Sequence, residues 1–489
     1  MAGVEARSDT SRPILHGRVT DHGTGELLEA QVHILDPGGR PAFPLDAIQK
    51  VGTGLAGFYT CGEFTVEVPS GLVTVLVERG TEYEPYEVTV QASMGTPCEL
   101  TLPLHRWVDL RKTGWYGGNT HVHYDERETR PDERLELDTR VHDLSVMVIS
   151  HLERRGIPYS SNKYRVGILA EFGSDSHVID CGEETRHNRG LWEAGYGHLL
   201  LVGLQHAVEP LSRGLLVSDS APDYPPLCRA CDEARRQGGL AIWCHNGGGM
   251  EAPVAAALGK LDALNLFDPF WAMPEEYTVW YHLLNCGFHL PASTGSDWYV
   301  CSNNRVYVQV DGPFSYDAWL GGLRAGRSFI TNGPALFVRV DGCRPGDVVR
   351  AGPDHDLETE VAWESCHAVE RIELVLNGEV LSVREVSSGE RHGLWRFPWR
   401  PQEDGWLAAR LVSRVRDSYY QPVFAHTSPV WLHVGRPAAA RAASAAFFVK
   451  SLDKVLQWVH ACARFADEEQ RAEVTDLFRS GQDEFRRLL

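Results

Sequence analysis

The sequence has few basic residues for its length. Of its 489 residues, 47 are Lys or Arg and 66 are Asp or Glu, which gives a formal net charge of −19 at pH 7. A surface this acidic repels phosphate backbones, so nucleic acid and anionic membranes are excluded as expected partners. A small anionic substrate stays compatible with this charge, because a local site can oppose the field of the whole protein.

Long hydrophobic runs are also absent. No stretch approaches the roughly 18 apolar residues of a membrane-spanning helix. The first residues, MAGVEARSDTSRP, contain acids but no apolar run of the kind that a secretory signal needs. The 11 cysteines are scattered and odd in number, which argues for reduced thiols and against a disulfide framework. We therefore expect a cytoplasmic protein.

Strand-like and helix-like patterns divide the chain into four predicted segments. Residues 12–106 contain short runs such as AQVHILD and LVTVLVERG between Gly, Pro and Asp turns, which predicts a β-sandwich. From 107 to 334, apolar runs such as LSVMVIS alternate with amphipathic segments such as LCRACDEARRQ, which is typical of a parallel sheet or barrel covered by helices. Residues 335–436 predict a second sandwich. Residues 437–489 have the apolar spacing of helices that pack on the body or on a second subunit.

The middle segment carries histidines and acidic residues at the ends of its predicted strands. In an α/β barrel these strand ends converge on one mouth, so ligands that are distant in sequence can meet there. A single histidine at a strand end is more often a capping or core residue, but a whole series of such positions is not explained in that way. The series comprises His121, His123, His151, Glu183, Glu184, His198, His245 and Asp297.

Imidazole and carboxylate groups suit a hydrolytic metal centre. They are ligands that Zn²⁺, Fe²⁺ and Mn²⁺ accept. A bound cation lowers the pKa of water to about 7, and two cations about 3.5–4 Å apart would share the resulting hydroxide and polarise the electrophile. The spacing does not identify the metal, because its availability in the cell decides as much as geometry.

The ordered series resembles the PHP (polymerase and histidinol phosphatase) superfamily and, within it, the CehA/McbA-type metallohydrolases. The resemblance implies an α/β fold, a PHP-type distorted (β/α)7 barrel flanked by two all-β sandwich domains and a C-terminal helical segment. The N-terminal sandwich resembles the carboxypeptidase-regulatory-like fold. The motifs that carry the resemblance to the metallohydrolases are GGNTHVH (117–123), the strand-end His151, CGEETRH (181–187), YGHL (196–199), GGLAIWCHN (238–246), GSDWY (295–299) and LRAGRSFITNGP (323–334).

The resemblance implies one or two divalent metals that share a bridging carboxylate. The family usually places this acid two residues after a glycine, which favours Glu184 over the alternative Glu183. With the bridging acid, the first metal would take His121, His123 and Asp297. The second metal would share that acid and add His198 and His245.

Three positions depart from the family pattern. Asn119 stands where an aspartate is usual, and Ser150 precedes His151 in place of another aspartate. The closing Asp-x-His motif ends in Tyr299, so the histidine of a third metal is missing. We therefore expect a one- or two-metal site, with His151 freed as an acid/base or substrate contact. The candidates for the other ligand of a third metal are Thr129, Asp125 and Glu126.

Charged and aromatic residues near the series bear on the substrate. Arg186 is placed to clamp a phosphate or carboxylate through two parallel hydrogen bonds, with a surface salt bridge to neighbouring acids as the alternative. Tyr299 is a candidate donor to a leaving group or an oxyanion. The aromatic residues expected near the mouth are Trp115, Tyr116, Trp192, Trp243, Trp298 and Tyr299.

We expect a hydrolase that uses a metal-bound hydroxide on an ester, amide, carbamate or phosphoester of a small molecule. The shortage of Lys and Arg in the motifs and the nearby aromatics favour a small, partly apolar ester or amide. The departures at Asn119, Ser150 and Tyr299 support an alternative, a catalytically inactive relative that binds a ligand or partner at a reduced metal site. The sandwich domains and the helical tail offer surfaces for a homo-oligomer.

Overall fold

The computed structural model describes residues 12–190, 194–268, 277–300, 302–352 and 355–489. Contacts between residues divide this part of the chain into two compact units. The first unit contains the residues up to Asp109 together with Glu133–Asp143, and the second contains Leu110–Asp132 and Leu144–Leu489. The domain boundaries expected after residues 106, 334 and 436 stay predictions.

The first unit consists of two β-sheets with a shared core. Its strands are β1 (Ile14–Asp21), β2 (Ala30–Leu35), β3 (Ile48–Gln49), β4 (Phe58–Thr60), β5 (Glu63–Glu67), β6 (Gly71–Glu78), β7 (Tyr86–Ala92) and β8 (Cys98–Leu104). One sheet has the order β5-β1-β8 and the other β3-β4-β2-β6-β7. Val73, Val75 and Val77 of β6 alternate with more exposed residues, so they point into this core.

The second unit contains most of the strands and helices. Its strands are β9 (Trp115–His123), β10 (Val146–His151), β11 (Gly167–Ile168), β12 (Val178–Asn188), β13 (Ala194–Val202), β14 (Ser212–Gly214), β15 (Leu240–Trp243), β16 (Ala263–Asn265), β17 (Ala292–Ser293), β18 (Asp297–Trp298), β19 (Arg305–Gln309), β20 (Ser328–Thr331), β21 (Ala335–Val340), β22 (Val348–Arg350), β23 (Leu357–Glu364), β24 (Arg371–Leu376), β25 (Glu379–Glu385), β26 (His392–Trp399), β27 (Gly405–Arg416), β28 (Pro422–Thr427) and β29 (Val430–His433). Helix α1 (Pro131–Val141) has residues in both units. The helices that follow are α2 (Cys228–Arg236), α3 (Ala252–Ala257), α4 (Thr278–Asn285), α5 (Tyr316–Arg324), α6 (Ala439–Ala461) and α7 (Glu468–Arg486).

The prediction of an α/β fold built on a (β/α)7 barrel is wrong. The described part of the chain is mostly β, with 38% strand and 21% helix, and its main sheet is a curled half-barrel. β9, β10 and β12 pair in parallel, but β12 pairs antiparallel with β13, and β13 with β15. Parallel neighbours need a long crossover, usually a helix. The few residues between Asn188 and Ala194 are too short for one, and they join β12 to β13 as antiparallel neighbours.

The main sheet also continues into the strands that were expected to form a separate C-terminal sandwich. β9 pairs antiparallel with β19, β19 with β20, and β20 with β28. A three-stranded sheet of β21, β23 and β26 packs against these C-terminal strands, with Trp363 of β23 in the same core as Ile372 and Leu407. The strands that carry the candidate ligands are therefore anchored in a larger sheet.

The two C-terminal helices pack on the second unit. α6 contacts α4, and α7 contacts both α3 and α6. Full burial of a large apolar side chain contributes about 1.5–3 kcal/mol, so these helices add substantially to the core. The side chains buried from the two helices include Phe448, Leu452, Val459, Val474, Phe478 and Phe485.

No helix within the described ranges combines the length and the apolar character needed to cross a membrane.

Candidate metal centre

The main sheet brings six of the predicted residues around one point. Residues two apart on a strand share a face, which places both histidines of the first motif on the same side of β9. Strand β18 pairs with β9, and Asp297, whose φ of 63° departs from extended backbone, brings its carboxylate close to the Nε2 atoms of both rings. The six residues are His121 and His123 of β9, Glu184 of β12, His198 of β13, His245 just after β15, and Asp297 of β18.

One half of the cluster contains His121, His123, Glu184 and Asp297. The Nε2 atoms of the two histidines are 3.0 Å apart. Glu184 Oε2 lies 2.9 Å from Nε2 of His123 and 3.8 Å from Nε2 of His121. Asp297 Oδ1 lies 3.4 Å from Nε2 of His121 and 3.7 Å from Nε2 of His123. Four ligand atoms this close fit one cation with bonds of about 2.0–2.2 Å.

The second half is built on the other oxygen of Glu184. Its Oε1 lies 2.8 Å from Nδ1 of His198 and 3.6 Å from Nε2 of His245. These two ring nitrogens are 3.1 Å apart. Cys244 also lies within ligand distance, but burial raises the pKa of its thiol well above the usual value and keeps it neutral. Glu184 therefore faces both halves, as a bridging carboxylate would.

Glu183 points away from this cluster. Consecutive residues on a strand face opposite sides, and the Glu183 carboxylate accepts the backbone N–H of Val208 at 2.6 Å. Burial raises its pKa to about 8.

Asp268 is a residue of the site that the sequence analysis missed. Its Oδ2 lies 3.0 Å from Nδ1 of His121, and its Oδ1 lies 3.3 Å from Nδ1 of His245. Burial opposes its ionisation, but His245 and His121 outweigh burial and hold its pKa well below the usual value. The signal was present in the sequence, because Asp268 directly follows the apolar run ALNLF.

The remaining two rings are held in the same way. Nδ1 of His123 donates to the Ser150 carbonyl at 3.1 Å, and Nε2 of His198 lies 2.7 Å from Oδ1 of Asn188. An imidazole whose outer N–H is engaged turns the lone pair of its inner nitrogen towards the cluster. Two such lone pairs at 3.0 Å, as in His121 and His123, repel each other unless a proton or a metal cation lies between them.

The charge balance in the cluster also suits a bound cation. Burial opposes the charged form of His121, but the carboxylates, with Asp297 first, raise its pKa to about 9. Burial lowers the pKa of His198 to about 4. For Glu184, burial is outweighed by Arg186 and His198, and its pKa stays well below the usual value. The carboxylates likewise raise the pKa of His245 well above its usual value, so the cluster favours positive charge at His121 and His245, which a bound cation would replace.

Backbone strain is concentrated at this site. His245, Asn246, Asp297 and Tyr299 have φ angles of 55°, 58°, 63° and 53°, in the left-handed region that non-glycine residues rarely adopt. Phe267, next to Asp268, has a φ of 59°. Such residues cost of order 1–3 kcal/mol each, and they cluster at functional sites.

The three residues predicted to act on the substrate lie in different surroundings. His151 donates from Nε2 to the Tyr164 carbonyl at 2.7 Å, and burial lowers its pKa. It is not part of the cluster. Arg186 is only 6% exposed, and its Nη1 lies 3.9 Å from Glu184 Oε2, which does not fit a surface salt bridge.

The third predicted contact, Tyr299, belongs to a separate polar group. Its hydroxyl accepts a hydrogen bond from Nη2 of Arg127 at 2.9 Å, and Arg127 also binds Asp125 at 2.6 Å. Glu126 and Thr129, the other candidates for a third metal, are exposed. The Arg127 guanidinium therefore binds Asp125, the acidic residue that a third metal would need as a ligand.

Asn119, the first departure from the family pattern, supports the ligands. Its Nδ2 donates to Ser296 Oγ at 2.8 Å, and its Oδ1 accepts the backbone N–H groups of Ser296 and His121. The fully buried amide thus joins β9 to the segment that ends in Asp297.

Of the predicted pocket aromatics, Trp298 lies beside the cluster. Its ring centroid is 5.2 Å from that of His123, and the Tyr159 ring packs against it at 5.6 Å. Trp243 is fully buried, and Trp115 packs on Phe329 in the interior. Tyr116 stacks on Phe314. Trp192 lies outside the described residues.

Comparisons with known proteins do not identify a family. No protein-family model matches the chain, and no curated protein matches it. Two solved structures of β-glucuronidase from Parabacteroides merdae, one with glycerol in its active site, align at 11% and 10% sequence identity with TM-scores of 0.16 and 0.17. Both alignments cover 84% of this chain, which spans 60% of the length of each enzyme chain. Similarity at this level indicates neither a shared fold nor a shared activity.

Proposed function

We propose that the protein is a metal-dependent hydrolase that binds one or two divalent cations, Zn²⁺, Fe²⁺ or Mn²⁺, and cleaves an ester, amide, carbamate or phosphoester bond in a small molecule. The observation that carries the proposal is the orientation of the four imidazoles. Each ring has one nitrogen held by an outer acceptor and the other turned towards Glu184. A mixed imidazole and carboxylate set of this kind suits these metals.

A resemblance of the site to the PHP superfamily and its CehA/McbA-type branch supports the same activity. That support comes from the order of the ligand residues along the chain and does not extend to the barrel. A cytoplasmic location is part of the proposal, because the 11 cysteines are scattered and odd in number, which suits reduced thiols.

The chain's own residues would prepare the site for catalysis. A bound divalent cation would make a water molecule more acidic and polarise an oxygen of the substrate. Asp268 and the Ser150 carbonyl fix the rings before any ligand arrives, so little reorganisation is needed on binding. Trp298 packs beside His123 and would limit the access of bulk water to that ligand.

The polar group of Arg127, Asp125 and Tyr299 favours a second candidate, a protein that binds metal and a ligand without turnover. The Tyr299 hydroxyl is engaged by Arg127, so a leaving group would have to displace that contact before Tyr299 could act as a donor. In this case the two halves around Glu184 would serve for binding only.

The metal content of the purified protein tests the proposal. After expression in metal-replete medium, we expect one to two equivalents of Zn, Fe or Mn by inductively coupled plasma mass spectrometry. Glu184→Gln should lose most of this metal, whereas His392→Gln, at an exposed histidine of β26, should keep it. Fewer than about 0.2 equivalents in the wild type would refute the proposal, because tight sites retain their metal.

Turnover separates the two candidates. The metal-loaded protein should hydrolyse p-nitrophenyl esters or p-nitrophenyl phosphates, and chelation followed by metal replacement should abolish and restore the rate. A protein that holds metal but hydrolyses neither series supports the binding-only alternative.

A further inference from the structure

Arg186 is a buried cation, and most of its donors have no partner among the described residues. Its Nη2 donates to the Glu153 carbonyl at 3.0 Å. Its Nη1 is 3.9 Å from Glu184 Oε2, which is too long for a hydrogen bond. Its Nε–H is buried and has no hydrogen-bond partner within the described part of the chain. A guanidinium carries five N–H donors, and burying it is costly unless they are satisfied.

The position of Arg186 relates these donors to the metal centre. Arg186 follows Glu184 by two residues on β12, so both side chains lie on the same face of the sheet. The guanidinium fork matches two oxygens of a carboxylate or a phosphoryl group. An anion at this point would lie beside the bridging carboxylate and satisfy the free donors.

Tyr159 provides a second donor near the metal centre. Its ring packs on Trp298, which in turn lies against His123. Burial raises the pKa of Tyr159, and the charges of Arg186 and Glu184 both act on it. The hydroxyl is therefore protonated at neutral pH, and it makes no hydrogen bond to any residue in the described ranges.

We propose that Arg186 and Tyr159 form an anion-binding subsite, so that the substrate carries a carboxylate or a phosphoryl group next to the bond that is cleaved. This inference rests on the proposed function, and it narrows the substrate class. The motifs alone favoured a small, partly apolar ester or amide, and the subsite implies that this substrate also carries an anionic group. A purely structural Arg186 would instead only offset the charge of Glu184.

Calorimetric titration of inorganic phosphate and of acetate into the metal-loaded protein tests the subsite. Arg186→Met should weaken binding of the preferred anion by about 10- to 100-fold, as expected for losing charge-assisted hydrogen bonds. Tyr159→Phe should weaken it by about 3- to 10-fold. The control Arg155→Met removes an exposed arginine that pairs with Asp219 and should leave anion binding unchanged. Preference for phosphate or for acetate identifies the phosphoryl or the carboxylate source.

Arg186→Lys separates substrate binding from charge balance. Lysine keeps the positive charge beside Glu184 but offers no planar fork, so we expect wild-type metal content with anion binding weakened by about 10-fold. Wild-type anion affinity in both Arg186 variants, or no binding of either anion to the wild type, would overturn the subsite. If the wild type holds no metal, the proposed function fails, and the same titrations on metal-free wild type and Arg186→Met still decide whether the subsite exists.

Discussion

At the scale of single residues, Asp268 governs two ligands of the candidate centre at once. Its two oxygens contact His121 and His245, which belong to different halves of the cluster. One of these oxygens also accepts the backbone N–H of His245 at 2.9 Å. A single carboxylate therefore fixes both ring orientations and the backbone at a residue with a strained φ angle.

Replacing Asp268 tests whether its contacts with His121 and His245 raise the affinity for the metal. An asparagine keeps the size of the side chain, but its amide NH₂ would face one ring nitrogen and could not accept a hydrogen bond there. We expect Asp268→Asn to lower metal affinity by about 10- to 100-fold, the usual effect of losing a group that orients a ligand. Competition with a chelator of known affinity measures this change. Asp219→Asn, at an exposed aspartate, is the control, and equal affinities in both variants would contradict the role of Asp268.

At the scale of elements, a buried histidine joins helix α4 to the main sheet. Nε2 of His426 in β28 accepts a hydrogen bond from the Tyr281 hydroxyl of α4 at 2.7 Å, and its Nδ1 donates to the Thr427 carbonyl at 2.7 Å. Burial lowers the pKa of His426 to about 3, although the Thr427 carbonyl acts in the opposite direction. Of the charged groups nearby, Arg410 lowers this pKa and Glu373 raises it.

This histidine should make stability depend on pH. Because its folded-state pKa is depressed, the unfolded chain takes up the proton first as the pH falls below about 6.5. Its contribution to the free energy of unfolding is complete above that pH and is lost progressively towards pH 3, with a size on the order of a few kcal/mol. Urea unfolding between pH 4 and 7 should show a shallower pH dependence for His426→Gln than for the wild type. An unchanged slope in His426→Gln, with His392→Gln as the exposed control, would show that His426 is not the group responsible.

Strand register explains which site residues could be read from the sequence. His121 and His123 are two apart, and Glu184 and Arg186 are two apart, so the two-residue repeat of a strand predicts that each pair shares a face. Asp268 directly follows the apolar run ALNLF, but unlike Asp297 in GSDWY it has no motif around it. The second donor, Tyr159, lies outside the regular strands and helices, and no periodic pattern marks it.

At the scale of the whole molecule, the pairing of the strands could not be read from the sequence. The apolar runs that carry the ligands are local features, whereas the choice between a parallel and an antiparallel neighbour depends on contacts between distant segments. The short connection from β12 to β13 makes that pair antiparallel, and the pairing of β20 with β28 extends the sheet into the C-terminal strands. The ligand residues lie together on this mostly β scaffold, so their convergence does not require a (β/α)7 barrel.

The packing of the C-terminal helices on the second unit can be tested by truncating a buried side chain. The sequence left open whether they pack on their own chain or on a second subunit, and the structure buries Phe478 of α7 in the core of the second unit. Phe478→Ala should lower the free energy of unfolding by about 3–5 kcal/mol, as truncation of a buried aromatic usually does. Phe447→Ala, at a side chain 41% exposed on α6, should cost much less. Denaturant unfolding at several protein concentrations measures both. The free energy of unfolding of Phe478→Ala could instead return to the wild-type value at high protein concentration. That result would mean that α7 packs mainly on a second copy of the chain, because only then does association restore stability.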